Sequence, residues 1–387
     1  MPAGPKPAER RKLEILVPPP APNRRPLVTV IMAAYNAGKH IGAALGSLCH
    51  QTVDDIEVVV VDDGSTDSTS RMVQLTARRD RRVRLVRLRH NRGQAAALNI
   101  GAEQARGRYL AILDADDEAT ADRFEHQLAA MARDRELVLV GGAVEPWCDQ
   151  FCKTGRPWRY ASDDASIRVR SLFKSEFISG AMTFDRERLV RHGLRFDESL
   201  RLGVDWAFSM QAMRVGPVAN VERVVMRYRV HPGQLTTGMM DDLSSDSTRI
   251  RVDSLAWIGV QPTDDELRTH LAVSPCNYWP FGAHPYFHQR RASIAEEASR
   301  WFERLKAAAA HGGRVSRGAL GAYVDQIASL IAERLATPVE ALGPEAACCP
   351  VACPRACLAE PPETRCRRPG EAPLKRPPPP VTAGEWS

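Results

Sequence analysis

Between residues 27 and 145 the chain repeats one pattern: a short apolar run, a polar or acidic break, then a stretch with helical spacing. Val28 to Ala33 is nearly continuous in apolar residues, as a strand buried on both faces requires. Ile41, Leu45 and Leu48 follow at i, i+4 and i+7, one face of a helix. Ile56 to Val61 is rich in β-branched residues and reads as the second strand. Ser65 to Asp67 then offer N-caps for a helix through Met72 and Leu75. Val83 to Leu88 alternates apolar residues with Arg, the pattern of a half-exposed strand. A helix is predicted from Gln94 to Ala105, with Gly107 as a left-handed stop. Tyr109 to Leu113 is the fourth strand, Phe124, Leu128 and Met131 mark a helix face, and Leu137 to Val144 is one more strand. Strand and helix alternating in this way predict a mostly parallel sheet covered by helices.

In such a sheet, ligands bind beyond the carboxyl ends of the strands. The groups standing there are Tyr35-Asn36, Asp62-Asp63-Gly64-Ser65, Asn91-Arg92-Gly93 and Asp114-Ala115-Asp116-Asp117. Capping alone is a poor explanation for four consecutive polar strand ends. Asp62 or Asp63 can accept a hydrogen bond from a base or ribose. Asp114 and Asp116 stand at i and i+2, so an extended segment turns both to one side, where a hard cation such as Mg²⁺ or Mn²⁺ would suit them. The competing reading is that Asp116 or Asp117 caps the next helix. The glycine-rich loops Gly-x-Gly-x-x-Gly and Gly-x4-Gly-Lys-Ser/Thr do not occur, so a nucleotide bound here would need a metal to screen its phosphates.

Charge narrows the partners. The formal +6 of the 387 residues is concentrated in residues 1–26, which hold six Lys/Arg against two Asp/Glu. Residues 27–340 are almost neutral, so Arg87, Arg89, His90 and Arg92 read as strand-surface groups with one diphosphate contact, and no nucleic-acid partner is expected. Residues 1–26 and 341–387 carry 19 of the 28 prolines and are read as disordered or extended tails. The second tail crowds Cys348, Cys349, Cys353, Cys357 and Cys366, without the paired Cys-x2-Cys knuckles of a zinc site. Cys49, Cys148, Cys152 and Cys276 are scattered and expected to be reduced. No run reaches the roughly eighteen apolar residues of a membrane span, and the N-terminus lacks a secretory apolar segment. The expectation is a cytoplasmic, bacterial protein, with the basic tail offering weak attraction to the inner face of the plasma membrane.

Residues 146–230 read as a mixed half: a strand near Ala181 to Phe184, helices at Arg186 to His192 and Trp206 to Val215, and a strand at Val224 to Val230. From about Leu243 to Leu335 the pattern is helical.

Taken together, Val28 to Asn36, Val60 to Asp67, Asn91-Arg92-Gly93 and Leu113 to Asp117 resemble the family-2 inverting glycosyltransferases, over about residues 27–231. The resemblance implies a glycosyltransferase A-type fold: a Rossmann-like mixed α/β sheet flanked by helices, here with a helical C-terminal extension. It divides the chain into a tail (1–26), a catalytic domain (27–240, with a nucleotide-sugar half 27–145 and an acceptor half 146–240), a helical extension (241–340) and a Pro/Cys-rich tail (341–387). By it, Tyr35, Asp62, Asp63, Asn91, Arg92 and Asp114 look like nucleotide-sugar contacts. Asp116, with Asp114 and His231, looks like the metal set, and Asp205 in Leu202-Gly203-Val204-Asp205-Trp206 falls on the catalytic base. Val204 departs from the pattern, standing where the family usually has Glu.

The activity implied is metal-assisted transfer, with Mn²⁺ or Mg²⁺, from a nucleotide sugar such as a UDP-sugar to a saccharide or lipid-linked hydroxyl. Single displacement with inversion needs a base for the acceptor proton, which Asp205 would supply. Capping of the Trp206 helix is the plainer job for the same residue. Two rivals stand beside this reading: a sugar nucleotidyltransferase, and a nucleotide-sugar-binding scaffold whose activity is lost, suggested by Val204.

Overall fold

The computed structural model describes residues 13–17, 25–148, 156–231, 242–275 and 284–337. The strand–helix alternation appears as β1 (Leu13–Val17), β2 (Val28–Ala34), α1 (Ile41–Cys49), β3 (Ile56–Asp62), α2 (Thr69–Arg79), β4 (Val83–Leu88), α3 (Gln94–Gln104) and β5 (Tyr109–Ile112). A two-residue β6 (Glu118–Ala119), α4 (Arg123–Arg133) and the long β7 (Leu139–Cys148) follow. Next come α5 (Asp164–Arg170), a 3₁₀ turn (Ser179–Ala181), β8 (Thr183–Asp185), α6 (Arg186–Arg191), α7 (Val204–Val215) and β9 (Val218–Val230).

Among the described residues, nine strands join one sheet in the order β1-β4-β3-β2-β5-β8-β7-β9-β6. The inner ladder β4-β3-β2-β5 is parallel, as the helical crossovers demand. Beyond β5 the sheet turns mixed, because β8 runs antiparallel to both β5 and β7 while β7 and β9 are parallel. Alternation along the strands feeds two cores. Ile31, Val59, Val61 and Ile112 face one layer, and Val30, Met32, Val58 and Val60 the other.

Several sequence expectations are corrected. Residues 13–17 of the proline-rich first tail form β1, an edge strand antiparallel to β4. β4 is not half-exposed: Arg84 is 3% exposed and paired with buried Glu57 at 3.2 Å. Glu57 also accepts Thr29 Oγ1 at 2.6 Å and Arg106 N at 2.8 Å, so its charge is neutralised within the fold and its pKa lies below the usual range although burial opposes this. Gly107 is no left-handed stop. It is small because a Cβ there would stand 2.5 Å from Thr29 N, where the chain crosses the start of β2. Cys148, expected reduced, is disulfide-bonded. The cysteine cluster from Cys348 to Cys366, with Cys152 and Cys276, lies outside the described residues.

After β9 the described residues form helices: α8 (Asp242–Trp257), α9 (Asp264–Val273), α10 (Pro285–Gln289), α11 (Ile294–Gly312) and α12 (Arg317–Ala336). Trp301, Phe302, Tyr323 and Ile327 pack with Val169, Leu172 and Phe173 around α5 in a third core. This layer therefore rests on the part of the chain that follows β7.

Candidate active site

The loops beyond β2, β3 and β4 are tied into one unit by side chains. Asn36 takes the left-handed conformation (φ 49°), which Asn tolerates better than most residues. Its N–H donates to Ser65 Oγ at 2.9 Å and its Oδ1 accepts Thr66 N at 3.0 Å. Tyr35 beside it is 52% exposed, an aromatic face open at the rim. Gly64 (φ 77°) lets the β3 loop turn under His90, where a Cβ would be 2.8 Å from the His90 carbonyl carbon.

Asp62 and Asp63 have parted roles. Asp63 Oδ1 accepts Arg92 N at 2.8 Å and Oδ2 accepts Gly93 N at 2.9 Å, and Asn91 Oδ1 takes a second bond from Gly93 N at 3.1 Å. Burial raises the Asp63 pKa, against the pull of these two N–H groups and the Arg92 charge. Asp63, Asn91 and Arg92 are thus brought together. Asp62 is not part of that group. It is fully buried, accepts Ser65 N at 2.8 Å and the Ser70 hydroxyl, and lies 3.7 Å from Arg87 Nε. With these partners Asp62 shapes the loop from within.

The acidic turn after β5 is the most charged feature. Asp117 N donates to Asp114 O at 3.2 Å, closing the turn. Gln94 Nε2 donates to Asp114 Oδ1 at 3.2 Å. From β9, Arg229 N reaches Asp117 Oδ1 and Arg229 Nε reaches Asp116 O, both at 2.8 Å. His231 Nε2 lies 2.9 Å from Asp116 Oδ2. Burial, then the charges of Asp116 and Asp205, carries the Asp114 pKa up to about 7. Burial and the neighbouring Asp116 and Asp114 push Asp117 well above the carboxylate range. Neither Asp116 nor Asp117 caps the next helix, since α4 begins after Asp122.

Asp205 arrives from the other half of the chain. Gly203 (φ 68°) is the N-cap of α7, so Asp205 sits in the first turn and is not the cap. Its Oδ1 accepts Trp206 N at 2.8 Å, and the Ser179 backbone amide also favours its charged form. Burial outweighs both and raises its pKa. Val204 is 4% exposed and packs in the core on this side of the sheet.

Sequence reasoning missed His40, whose ring stands 5.1 Å from that of His231, and the Ser179–Gly180 turn, whose amides act on Asp205 and Asp114. A lone histidine in a loop and a small-residue turn carry no motif, so only packing reveals them.

Whether these residues suit a divalent cation can be judged from the donors. No group of three or more His, Cys, Asp or Glu side chains among the described residues stands ready as a complete cage, and Asp114 is not joined with Asp116 and His231 in one. Asp116 and His231 nevertheless present an oxygen and a nitrogen within hydrogen-bond distance of each other. One buried oxygen of Asp117 has no hydrogen-bond partner, and after burial the Asp116 charge is the next cause that raises the pKa of both Asp114 and Asp117. Mg²⁺ is usually held by one or two carboxylates, substrate phosphates and water, and this donor set fits that pattern.

Comparison with known proteins bears on the family and the fold. Residues 29–191 match the family described as Glycosyl transferase family 2. The chain is 26% identical over 239 residues to an uncharacterized glycosyltransferase of Haemophilus influenzae, covering 60% of this chain and 74% of that protein. It is 36% identical over 217 residues to the succinoglycan biosynthesis protein ExoO of Rhizobium meliloti, covering 53% of this chain and 60% of that one. It therefore spans less than two thirds of the succinoglycan protein. Among solved structures, S. aureus TarS 1–349 in complex with UDP-GlcNAc superposes with a TM-score of 0.52 at 17% identity, covering 80% of this chain and 90% of that one.

Proposed function

From the match of residues 29–191 to glycosyl transferase family 2 and the glycosyltransferase A-type fold, we propose that the chain moves a sugar from a nucleotide sugar to an acceptor hydroxyl with inversion. The observation that carries the proposal is the meeting of the Asp114–Asp117 turn with Asp205, residues close enough for the Asp205 charge to act on Asp114. One carboxylate group faces the donor; another, from a different half of the chain, faces the acceptor.

Tyr35 offers a face for the base, and Asp63, with the 91–93 loop it holds, lines the nucleoside side. Asp114 stands between this nucleoside wall and the transfer centre. Asp116 and His231, with Asp114 nearby, would hold Mn²⁺ or Mg²⁺, which when bound neutralises charge on the leaving diphosphate. Asp205 takes the acceptor proton as the hydroxyl attacks; its raised pKa makes it a stronger base than an exposed Asp.

A UDP-sugar is the donor to try first, since TarS is described with UDP-GlcNAc. The succinoglycan relative supports a saccharide or lipid-linked acceptor.

Calorimetry with UDP, GDP and dTDP, with and without Mn²⁺, tests the donor site in the wild type and Asp116→Asn. Cation-dependent binding of one nucleotide that the variant loses supports the proposal. No binding of any nucleotide would sink it.

A further inference from the structure

Arg123, the first residue of α4, is fully buried directly beneath the acidic turn. Its Nε donates to Gln127 Oε1 at 3.1 Å. Its Nη1 donates to Gly180 O at 2.6 Å, and its Nη2 to Ile112 O at 2.9 Å and Met182 O at 3.0 Å. Ile112 ends β5, two residues before Asp114, whereas Gly180 and Met182 belong to the turn before β8. One guanidinium thus ties together two segments some 70 positions apart. The turn it grips presents successive backbone amides to the two carboxylates of the reaction: Gly180 to Asp114 and Ser179 to Asp205. The approach is close, for a Cβ on Gly180 would stand 3.2 Å from both Asp114 N and Asp114 Oδ2.

Packing alone does not call for a charge here, because burying a guanidinium is costly and an apolar side chain of similar volume would fill the space. Burial lowers the Arg123 pKa to about 9, opposed by the charges of Asp114 and Asp117. A planar fork that satisfies three carbonyls at once is what Arg offers and Lys does not.

We propose that Arg123 is a positioning residue for sugar transfer: by clamping the end of β5 to the Ser179–Gly180 turn, it sets the placement of Asp114 relative to Asp205. The kinetic consequence rests on the glycosyltransferase reading, whereas the clamp itself does not.

The test compares Arg123→Lys and Gly180→Ala with the wild-type full chain, following amide hydrogen exchange, thermal melting, and kcat and KM. In folded Arg123→Lys, exchange in residues 110–117 and 178–182 should quicken by about tenfold or more while the rest of the sheet is unchanged. The kcat should fall by about 30-fold or more with donor KM within about threefold, since misplacement of reacting groups acts on the transition state. A folded variant with unchanged exchange in both segments, or with kcat within threefold of wild type, overturns the proposal. Should Arg123→Lys fail to fold, Gly180→Ala decides, because its methyl group would stand 2.6 Å from Met226 Sδ and 3.2 Å from Asp114 N and Oδ2 and so displaces the turn that Arg123 grips. Quickened exchange in residues 178–182 with an equal kcat loss supports the clamp, and quickened exchange there with an unchanged kcat refutes it. A wild type without transferase activity would count against the functional reading alone, leaving the exchange data to decide the clamp.

Discussion

His231 Nε2 stands 2.9 Å from Asp116 Oδ2, joining the end of β9 to the turn after β5 across 115 positions of the chain. The pair ties the β9 side of the sheet to the acidic turn after β5. His231→Ala should weaken cation-dependent nucleotide binding by about 10- to 100-fold, the usual cost of losing a group that holds or orients a metal ligand. Calorimetry with and without Mn²⁺ measures it, and equal loss without the cation would argue against a role at the metal.

Asp205→Asn should leave nucleotide affinity within about threefold of wild type and lower kcat by about 10²- to 10⁴-fold. The base must be ionised to accept a proton, so kcat/KM should fall as pH drops through its pKa. Burial raises that pKa, so the acid limb should begin at a higher pH than for an ordinary Asp. A flat profile down to pH 4 would remove Asp205 from the role.

Adjacent Asp62 and Asp63 should separate on substitution. Asp62→Ala strands the Ser65 N–H and the Ser70 hydroxyl in a buried site and should cost about 1–3 kcal/mol of stability. Asp63→Ala releases the 91–93 loop and should weaken nucleotide binding more than it lowers Tm. Melting curves and calorimetry on both variants check the contrast, and identical profiles would refute it.

His270 should make the helical layer acid-sensitive. It is fully buried, with Nε2 2.9 Å from Leu172 O and Nδ1 accepting Trp301 Nε1 at 3.1 Å, which together define the neutral ring. Burial lowers its pKa from 6.5 to about 3. The unfolded chain therefore binds the proton first, so this stability is present above about pH 6.5 and is lost as pH falls toward 3. His270→Gln keeps a donor and an acceptor without titrating and should flatten Tm between pH 6.5 and 4. An unchanged slope would reject the assignment.

Val204→Glu restores the residue the family pattern usually shows, and here it should only harm. Val204 is 4% exposed among Leu200, Phe208 and Ile250, where an unpaired carboxylate costs about 3 kcal/mol or more. Tm should drop by roughly 6 °C or more with no gain in turnover. A rise in kcat would show that the side chain reaches the acceptor after all.

The chain's local patterns carried the inner fold. Apolar runs such as Val28 to Ala33 and Ile56 to Val61, with helical spacing between them, decide β2, α1 and β3, because period and burial are properties of short segments. The parallel order and the acidic strand ends follow from the same pattern. What the residues alone left open depends on partners far along the chain. Asp62 and Asp63 are indistinguishable as a pair of carboxylates, and only packing gives Asp62 to Ser65 and Ser70 and Asp63 to the amides of Arg92 and Gly93. β1 pairs only because β4 leaves an open edge, and its proline-rich surroundings gave no sign of it. Gly180, Arg123 and His40 gained their places when segments 50 or more residues apart packed together. Local periodicity determined where the site would lie, and long-range hydrogen bonding in a low-dielectric interior decided which side chains face it.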